Sequence, residues 1–271
     1  MKKAIVVLGS FVLVLAVILI VISRHQSDRD LPAILKDGRL TVLINSGEHG
    51  FTRDTAKVGG FQYEVIKKYA DELGVELVIV QEPDHEAGNK ELLRGDCDVI
   101  VSLQPIIYDS ASAVVSLFPL VESNLMLVQL ADSSGSLLIK KQYELDGKEI
   151  TFTKASPFLP LLEQLSDDLA IEPVLIESNL SSIDEVINKV ASGEIEYAVC
   201  PAHLTARIKS KYPQVDLSVP LTFHLQLGWT IGAKSVLLQD SLNEFLKNFV
   251  GTADYWTLFA TYFSGKTEHL N

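Results

Sequence analysis

An unbroken uncharged run of 20 residues from Ala4 to Ser23, preceded by Met1-Lys2-Lys3, constrains this chain more than any other feature. At the helical rise, such a run spans about 30 Å, the thickness of a bilayer's hydrocarbon core. A cleaved signal peptide has an apolar stretch of about 7–15 residues followed by a small-residue site. Here Leu, Ile and Val continue to Ile22, and the one passable cleavage site is Val21-Ile22-Ser23. An uncleaved transmembrane anchor over residues 4–23 is therefore expected, with a cleaved signal as the alternative. No cysteine follows the run, which excludes a bacterial lipoprotein anchor.

Two lysines and the amino terminus lie before the run, whereas Arg24 to Asp30 after it are formally balanced. The positive-inside rule then sends the chain out of the cytoplasm. The expectation is a single-pass protein of the inner (cytoplasmic) membrane, with residues 1–30 as anchor and linker and the rest extracytoplasmic. Residues 1–24 hold three of the 23 basic side chains and none of the 35 acidic ones, so the remainder is strongly acidic. Nucleic-acid binding, which needs a positive surface to displace counterions, is excluded. Cys97 and Cys200 make no disulfide scaffold and have no zinc-ligand spacing, so each reads as a buried thiol.

From Leu31 onward, strand-like runs alternate with helical periodicity, as in α/β folds built on parallel sheets. Leu40–Asn45, Val75–Val80 and Val99–Leu103 read as strands, and Phe61, Val65, Tyr69 and Leu73 form the apolar stripe of a helix that Gly74 stops. A short helix begins at Glu91. In the second half, 149–152, 174–176 and 197–200 read as strands, with helices over 157–169 and 203–212. Ser182 and Glu185 form a capping box ahead of Ile183, Val186, Ile187 and Val190, and Gly193 closes that helix. Ser241 and Glu244 look like another box, starting a helix near the end. Tyr255, Trp256, Phe259, Tyr262 and Phe263 fit a terminal helix docked on its own sheet better than a partner or membrane contact. The polar stretch Ala131–Gly147 reads as an exposed connection.

Chemistry-bearing motifs are scarce. The sequence has no glycine-rich phosphate loop, Walker sequence, Gly-x-Ser-x-Gly elbow or His-Glu-x-x-His. Glu82-Pro83-Asp84-His85-Glu86 is the one local cluster of histidine and acids; residues contiguous around a proline cannot converge on one ion, so it reads as a solvated loop. No metal and no cofactor is expected. The tetrapeptide Glu-Ser-Asn-Leu at 122–125 and 177–180 reads as chance.

Leu35–Asn45, Gly60-Phe61-Gln62-Tyr63-Glu64 with the helix to Val75, Gly95–Ile100, and Val190–Val199 together resemble the type II periplasmic solute-binding proteins of family 3. These are the polar amino-acid receptors of ABC importers, and the similarity covers roughly residues 33–265. Within that group the chain looks most like the solute-binding-like domain of the membrane-bound lytic murein transglycosylase F family, whose following catalytic domain is expected to be missing here. The resemblance implies a two-lobed fold with two parallel-type sheets, flanking helices and two hinge crossovers, after one N-terminal transmembrane helix. Lobe 1 is expected from 31–123 plus 225–271 and lobe 2 from 124–224, crossing near 122–130 and 220–227.

Family members hold an amino acid's carboxylate with an arginine and its ammonium with an aspartate. At the matching positions this chain has Ser110 and Pro201. A hydrogen bond to a charged group contributes about 1.5–3 kcal/mol, so losing two weakens zwitterion binding by roughly 10²–10⁴-fold. The expected cleft is polar but mostly neutral: Ser46, His49, Phe51, Ser102, Gln104 and Tyr108 from lobe 1, and Lys154, Ser156, Cys200 and His203 from lobe 2. Lys154-Ala155-Ser156-Pro157 at a strand-to-helix turn reads either as an anion receptor or as a helix cap.

Two readings of function follow. One is a membrane-anchored module that closes over a small polar or anionic solute for transport or sensing, with an inner-membrane transporter as partner. The other is a regulatory or interaction domain of the cell envelope with a degenerate cleft, acting on a cell-wall enzyme. Catalysis is the weakest reading, since no catalytic carboxylate stands in a recognisable setting.

Overall fold

The computed structural model describes residues 29–264 apart from 46, 48, 54–57, 82–84, 108–110, 132–135 and 181. The apolar run Ala4–Ser23 lies outside the described residues, as do Ser46, Tyr108 and Ser110. No helix among the described residues is long and apolar enough to cross a membrane.

The chain folds as two mixed sheets. The first takes β1 (Arg39–Ile44), β4 (Glu76–Val80), β5 (Val99–Pro105), β6 (Val114–Ser116), β7 (Val121–Ser123) and β13 (Leu225–Gly232), in the order β4-β1-β5-β13-β6 with β7 also on β13. The second takes β8 (Leu125–Leu130), β9 (Glu149–Phe152), β10 (Val174–Glu177), β11 (Tyr197–Pro201) and β12 (Val215–Asp216), in the order β10-β9-β11-β8-β12. β1 pairs in parallel with β4 and β5, and β9 with β10 and β11, whereas β8 and β13 run antiparallel to their neighbours. The sheets are thus mixed rather than parallel throughout, because β8 and β13 enter their sheets straight from the crossovers with no helix to reverse them. The small ribbon of β2 (Thr52–Arg53) and β3 (Val58–Gly59) stands beside the first sheet.

Helices α1 (Leu31–Asp37), α2 (Phe61–Leu73), α3 (His85–Arg94), α7 (Val236–Phe249) and α8 (Ala253–Phe263) belong with the first sheet, and α4 (Leu159–Leu169), α5 (Ile183–Ala191) and α6 (Thr205–Lys211) with the second. Helix α5 starts at its Ser182 cap, whose side chain accepts from Asp184 N–H. Helix α3 begins six residues ahead of Glu91, and α4 begins at Leu159 rather than at Pro157.

Ser241 and Glu244 do not start a helix: α7 begins at Val236 and both lie inside it, where Ser241 Oγ accepts from the Tyr69 hydroxyl at 2.9 Å. The cap comes from Asp30, whose carboxylate accepts from Leu237 and Leu238 N–H at 3.2 and 2.7 Å. Nor is 131–147 simply an exposed connection. The amide of the wholly buried Gln129 pairs with both backbone groups of Ile139, and Leu145 has no exposed surface.

The expected separation of the two cores is only partial. One buried cluster runs from Ile34 of α1 and Leu40 and Val99 of the first sheet through Phe263 and Leu204 to Val186 and Val190 of α5 and Cys200 of the second sheet. A smaller cluster around Leu127, Ile150 and Tyr197 fills the other face of the second sheet. The continuity comes from α8, which packs against both α2 and α6. Its Tyr255, Leu258 and Phe263 are buried, so the aromatic stripe is a docked terminal helix.

Candidate functional site

The segments that leave the carboxyl ends of β1 and β11 meet at Phe263, one from each lobe, at the strand ends where open α/β sheets place ligands. After β1, the loop 45–51 closes on itself through Phe51 N–H to Asn45 O (2.9 Å), then caps α2: His49 O and Gly50 O accept from Gln62 and Tyr63 N–H. Gly60 permits the closeness, with φ at 132° and an absent Cβ that would lie 2.1 Å from Gly50 O. The loop thereby presents the His49 ring, stacked on Phe263 with centroids 5.1 Å apart.

From the other lobe, His203 follows β11 in a single 3₁₀ turn (Ala202–Leu204) and meets Phe263 with the two rings near perpendicular, also at 5.1 Å. Its Nδ1 lies 3.1 Å from Ser123 Oγ, which also accepts from its N–H. Ser123 and Asn124 form the first crossover. Asn124 O accepts from Ala202 N–H, and its side chain accepts from His224 N–H on the second crossover.

Both histidines are held neutral. Burial pushes His49 down to about 4, with the nearby Arg207 guanidinium acting in the same direction and Asp184 opposing it. Burial, with His49 beside it, pushes His203 down to about 3. Arg207 of α6 donates to Asp184 at the start of α5 at 2.5 Å, so this ion pair belongs to the second lobe alone. His49 Nε2 is buried with no hydrogen-bond partner among the described residues, as is Thr205 Oγ1 at the first residue of α6.

The remaining expected residues are dispersed. Ser102 Oγ accepts from Asn45 Nδ2 at 3.2 Å. Gln104 is buried inside the first sheet, where its Oε1 accepts from Thr230 Oγ1 at 3.3 Å. Phe51 packs edge-on against Tyr63 in the core of lobe 1. Cys200 has no exposed surface, and burial pushes its thiol up. Pro201 ends β11 buried, so no carboxylate stands there.

Lys154 is exposed, and Ser156 Oγ accepts from Phe158 N–H at 3.4 Å in the turn ahead of α4. The neighbouring Ala155 N–H, at φ 49°, donates to Glu177 Oε1 at 2.7 Å. A carboxylate of the chain thus already takes one of the turn's amides. Sequence reasoning missed Phe263, Ser123, Arg207 and Glu177, whose roles depend on partners far along the chain.

Two crossovers between two mixed sheets define the chain as a two-lobed α/β protein of the periplasmic-binding-protein fold. No family model matches it. In sequence it is similar to membrane-bound lytic murein transglycosylase F of Alteromonas mediterranea, 24% identical over 229 residues that make up 82% of this chain and 48% of that protein. The enzyme of the same name from Desulfosudis oleivorans is 22% identical over 240 residues, covering 89% and 52%. The chain spans about half the length of these curated relatives.

Among solved structures it is similar in fold to a variant of ArgBP from T. maritima, with a TM-score of 0.71 and 20% identity over 86% of this chain and 98% of that one. The amino acid ABC transporter substrate-binding protein AbpA of Streptococcus pneumoniae, bound to L-arginine, follows at 0.70 and 16%, covering 87% and 98%. The GluR0 ligand-binding core with L-glutamate gives 0.68 and 12%, covering 83% and 98%.

Proposed function

We infer that this chain is a membrane-anchored, extracytoplasmic binding protein that takes a small polar, uncharged or anionic solute where its lobes meet, and that it is not an enzyme. The observation that carries this reading is the His49 imidazole: a ring nitrogen buried at the lobe junction without a partner among the described residues normally has a hydrogen-bonding group to meet. Thr205 Oγ1 supports it from the second lobe. The similar solved structures are binding proteins, two of them holding L-arginine or L-glutamate. With Pro201 where an aspartate would hold an ammonium, the ligand of this chain lacks that positive group. Anchoring through residues 4–23 rests on the apolar run and agrees with the membrane-bound naming of the relatives.

Thermal-shift measurement of the chain in detergent, against amino acids, muropeptides, sugars and organic anions, tests the reading. A ligand at 100 times its Kd stabilises by about 2.7 kcal/mol. His49→Phe keeps the stack on Phe263 and removes Nε2, so it abolishes the shift. A shift that persists in His49→Phe overturns the site.

A second reading has its own support. The apolar cluster that joins the lobes through Phe263, and the Glu177 carboxylate already seated on the turn at Ala155, suit an interaction domain of the cell envelope that does not close on a solute. Silence across the ligand panel selects that reading.

A further inference from the structure

The base of lobe 1 carries a feature that solute binding does not use. Arg29, the first described residue, is clamped there: its Nε donates to Asp98 at 2.8 Å, its Nη1 to Asp37 at 2.6 Å and its Nη2 to Arg39 O at 3.0 Å. Asp98 is 2% exposed and also accepts from Thr41 N–H at 2.7 Å. Asp30 caps α1 and α7 together, and Ser235 Oγ donates to Arg29 O at 2.9 Å. The chain therefore reaches the domain at one fixed point, beside the amino ends of β1 and β5 and the start of α7.

Around that point lies exposed apolar surface. Leu35 on α1 is 48% exposed, and Val236 and Leu237 on the first turn of α7 are each 52% exposed. Helix α1 packs against α7 and Asp30 caps both, so the three side chains stand on neighbouring helices around that point. Exposed Lys36, Arg39 and Lys234 border it, on a chain whose formal net charge is −12. Carboxylates stand there too: Asp37 and Asp98 are tied to Arg29, Asp30 sits on the first turn of α7, Glu76 lies opposite Arg39 across the strand pair and Asp240 is exposed one turn further along α7, so the charges of the two signs nearly balance.

Five residues, 24–28, separate the end of the apolar run from Arg29. Fully extended, that connection spans about 20 Å at most, and the headgroup layer takes up roughly a third of it. A face held so close to a bilayer either avoids or meets the lipid surface. Exposed apolar side chains on such a short tether, with charged groups of both signs beside them, suit the interfacial layer of a bilayer.

We propose that the Leu35, Val236 and Leu237 face of lobe 1 rests in the headgroup region of the membrane that anchors the chain. This rests on the anchored reading above. The orientation has a consequence for the site: the carboxyl ends of β1 and β5 lie at the far end of the sheet from this face, so the lobe junction and lobe 2 stand away from the bilayer.

The test uses the full chain reconstituted in vesicles of phosphatidylethanolamine and phosphatidylglycerol. A nitrobenzoxadiazole label is placed by Leu35→Cys, Leu237→Cys or, as reference on lobe 2, Leu138→Cys, which is exposed. Cys97 and Cys200 are buried and do not compete for the label. Nitroxide-bearing lipids quench the labels at 35 and 237 several-fold more than the label at 138. Equal quenching at all three sites, in protein that resists carbonate extraction, overturns the proposal and leaves the anchor standing. Extraction by carbonate overturns both.

A second variant separates seating from mere tethering. Val236→Asp with Leu237→Asp, read by the label at 35, lowers the quenching while the protein stays resistant to carbonate. Undiminished quenching in that double variant means that the tether alone sets the distance, and the proposal fails.

Discussion

At the scale of single residues, the two histidines carry the most consequence because their environment forbids charge. Folding lowers the His49 value to about 4 and the His203 value to about 3, while an unfolded histidine titrates near 6.5. Above pH 6.5 both states are neutral and the stability from burying the rings is complete. As the pH falls below 6.5 the unfolded chain takes up protons that the folded chain refuses, and stability drops until the folded values are reached. At pH 5 each histidine removes about 2 kcal/mol. Urea midpoints should therefore fall between pH 7.5 and 5 by an amount corresponding to about 4 kcal/mol, and His49→Phe should remove about half of that loss. An identical pH profile in the variant would mean that His49 is not shielded from water. His203 was legible in the sequence as a polar residue after a strand. Its contact with Phe263, 60 positions later, was not, since no local pattern encodes a ring that arrives on the terminal helix.

At the scale of elements, what was readable depended on where each element's ends are satisfied. Helix α5 carries its own cap in Ser182, so its start and stripe could be read directly. Helix α7 borrows its cap from Asp30, more than 200 residues earlier, so the local sequence offers only the box-like spacing of Ser241 and Glu244 inside the helix. Ser241 is a serine inside a helix that serves Tyr69. The same logic hid the order of 139–145, which is pinned by the buried side chain of Gln129. Because Asp30 serves two helices at once, its removal should be felt in both. Replacing a cap by alanine costs about 1 kcal/mol, so Asp30→Ala should lower stability by about 2 kcal/mol with an unchanged urea m-value. Asp30→Asn, which keeps an accepting oxygen, should recover most of it. Equal losses in the two variants would show that the charge, not the cap, is what α1 and α7 need.

At the scale of the molecule, the two-lobed architecture was legible from the order of strand-like and helical runs, but the way the lobes meet was not. Two crossovers alone would leave them free to hinge about Asn124. Helix α8 adds a third connection: Phe61 receives Tyr255, Phe259, Tyr262 and Phe263 on the side of lobe 1, while Phe263 also meets His203 of lobe 2. Phe263 is 1% exposed, and truncating such a ring costs about 3–5 kcal/mol. How that loss is expressed distinguishes a packing residue from a strut between lobes. If Phe263 only fills lobe 1, Phe263→Ala lowers the unfolding midpoint and leaves the native dimensions unchanged. If it holds the lobes together, the variant also widens the native particle in small-angle scattering and speeds hydrogen exchange at Gln62 and Tyr63, whose amides depend on the His49 loop. The second pattern is expected, because Phe263 touches a histidine from each lobe. Trp256→Ala is the control: that ring is on the same helix but 56% exposed, and its loss should stay within about 0.5 kcal/mol without changing the dimensions.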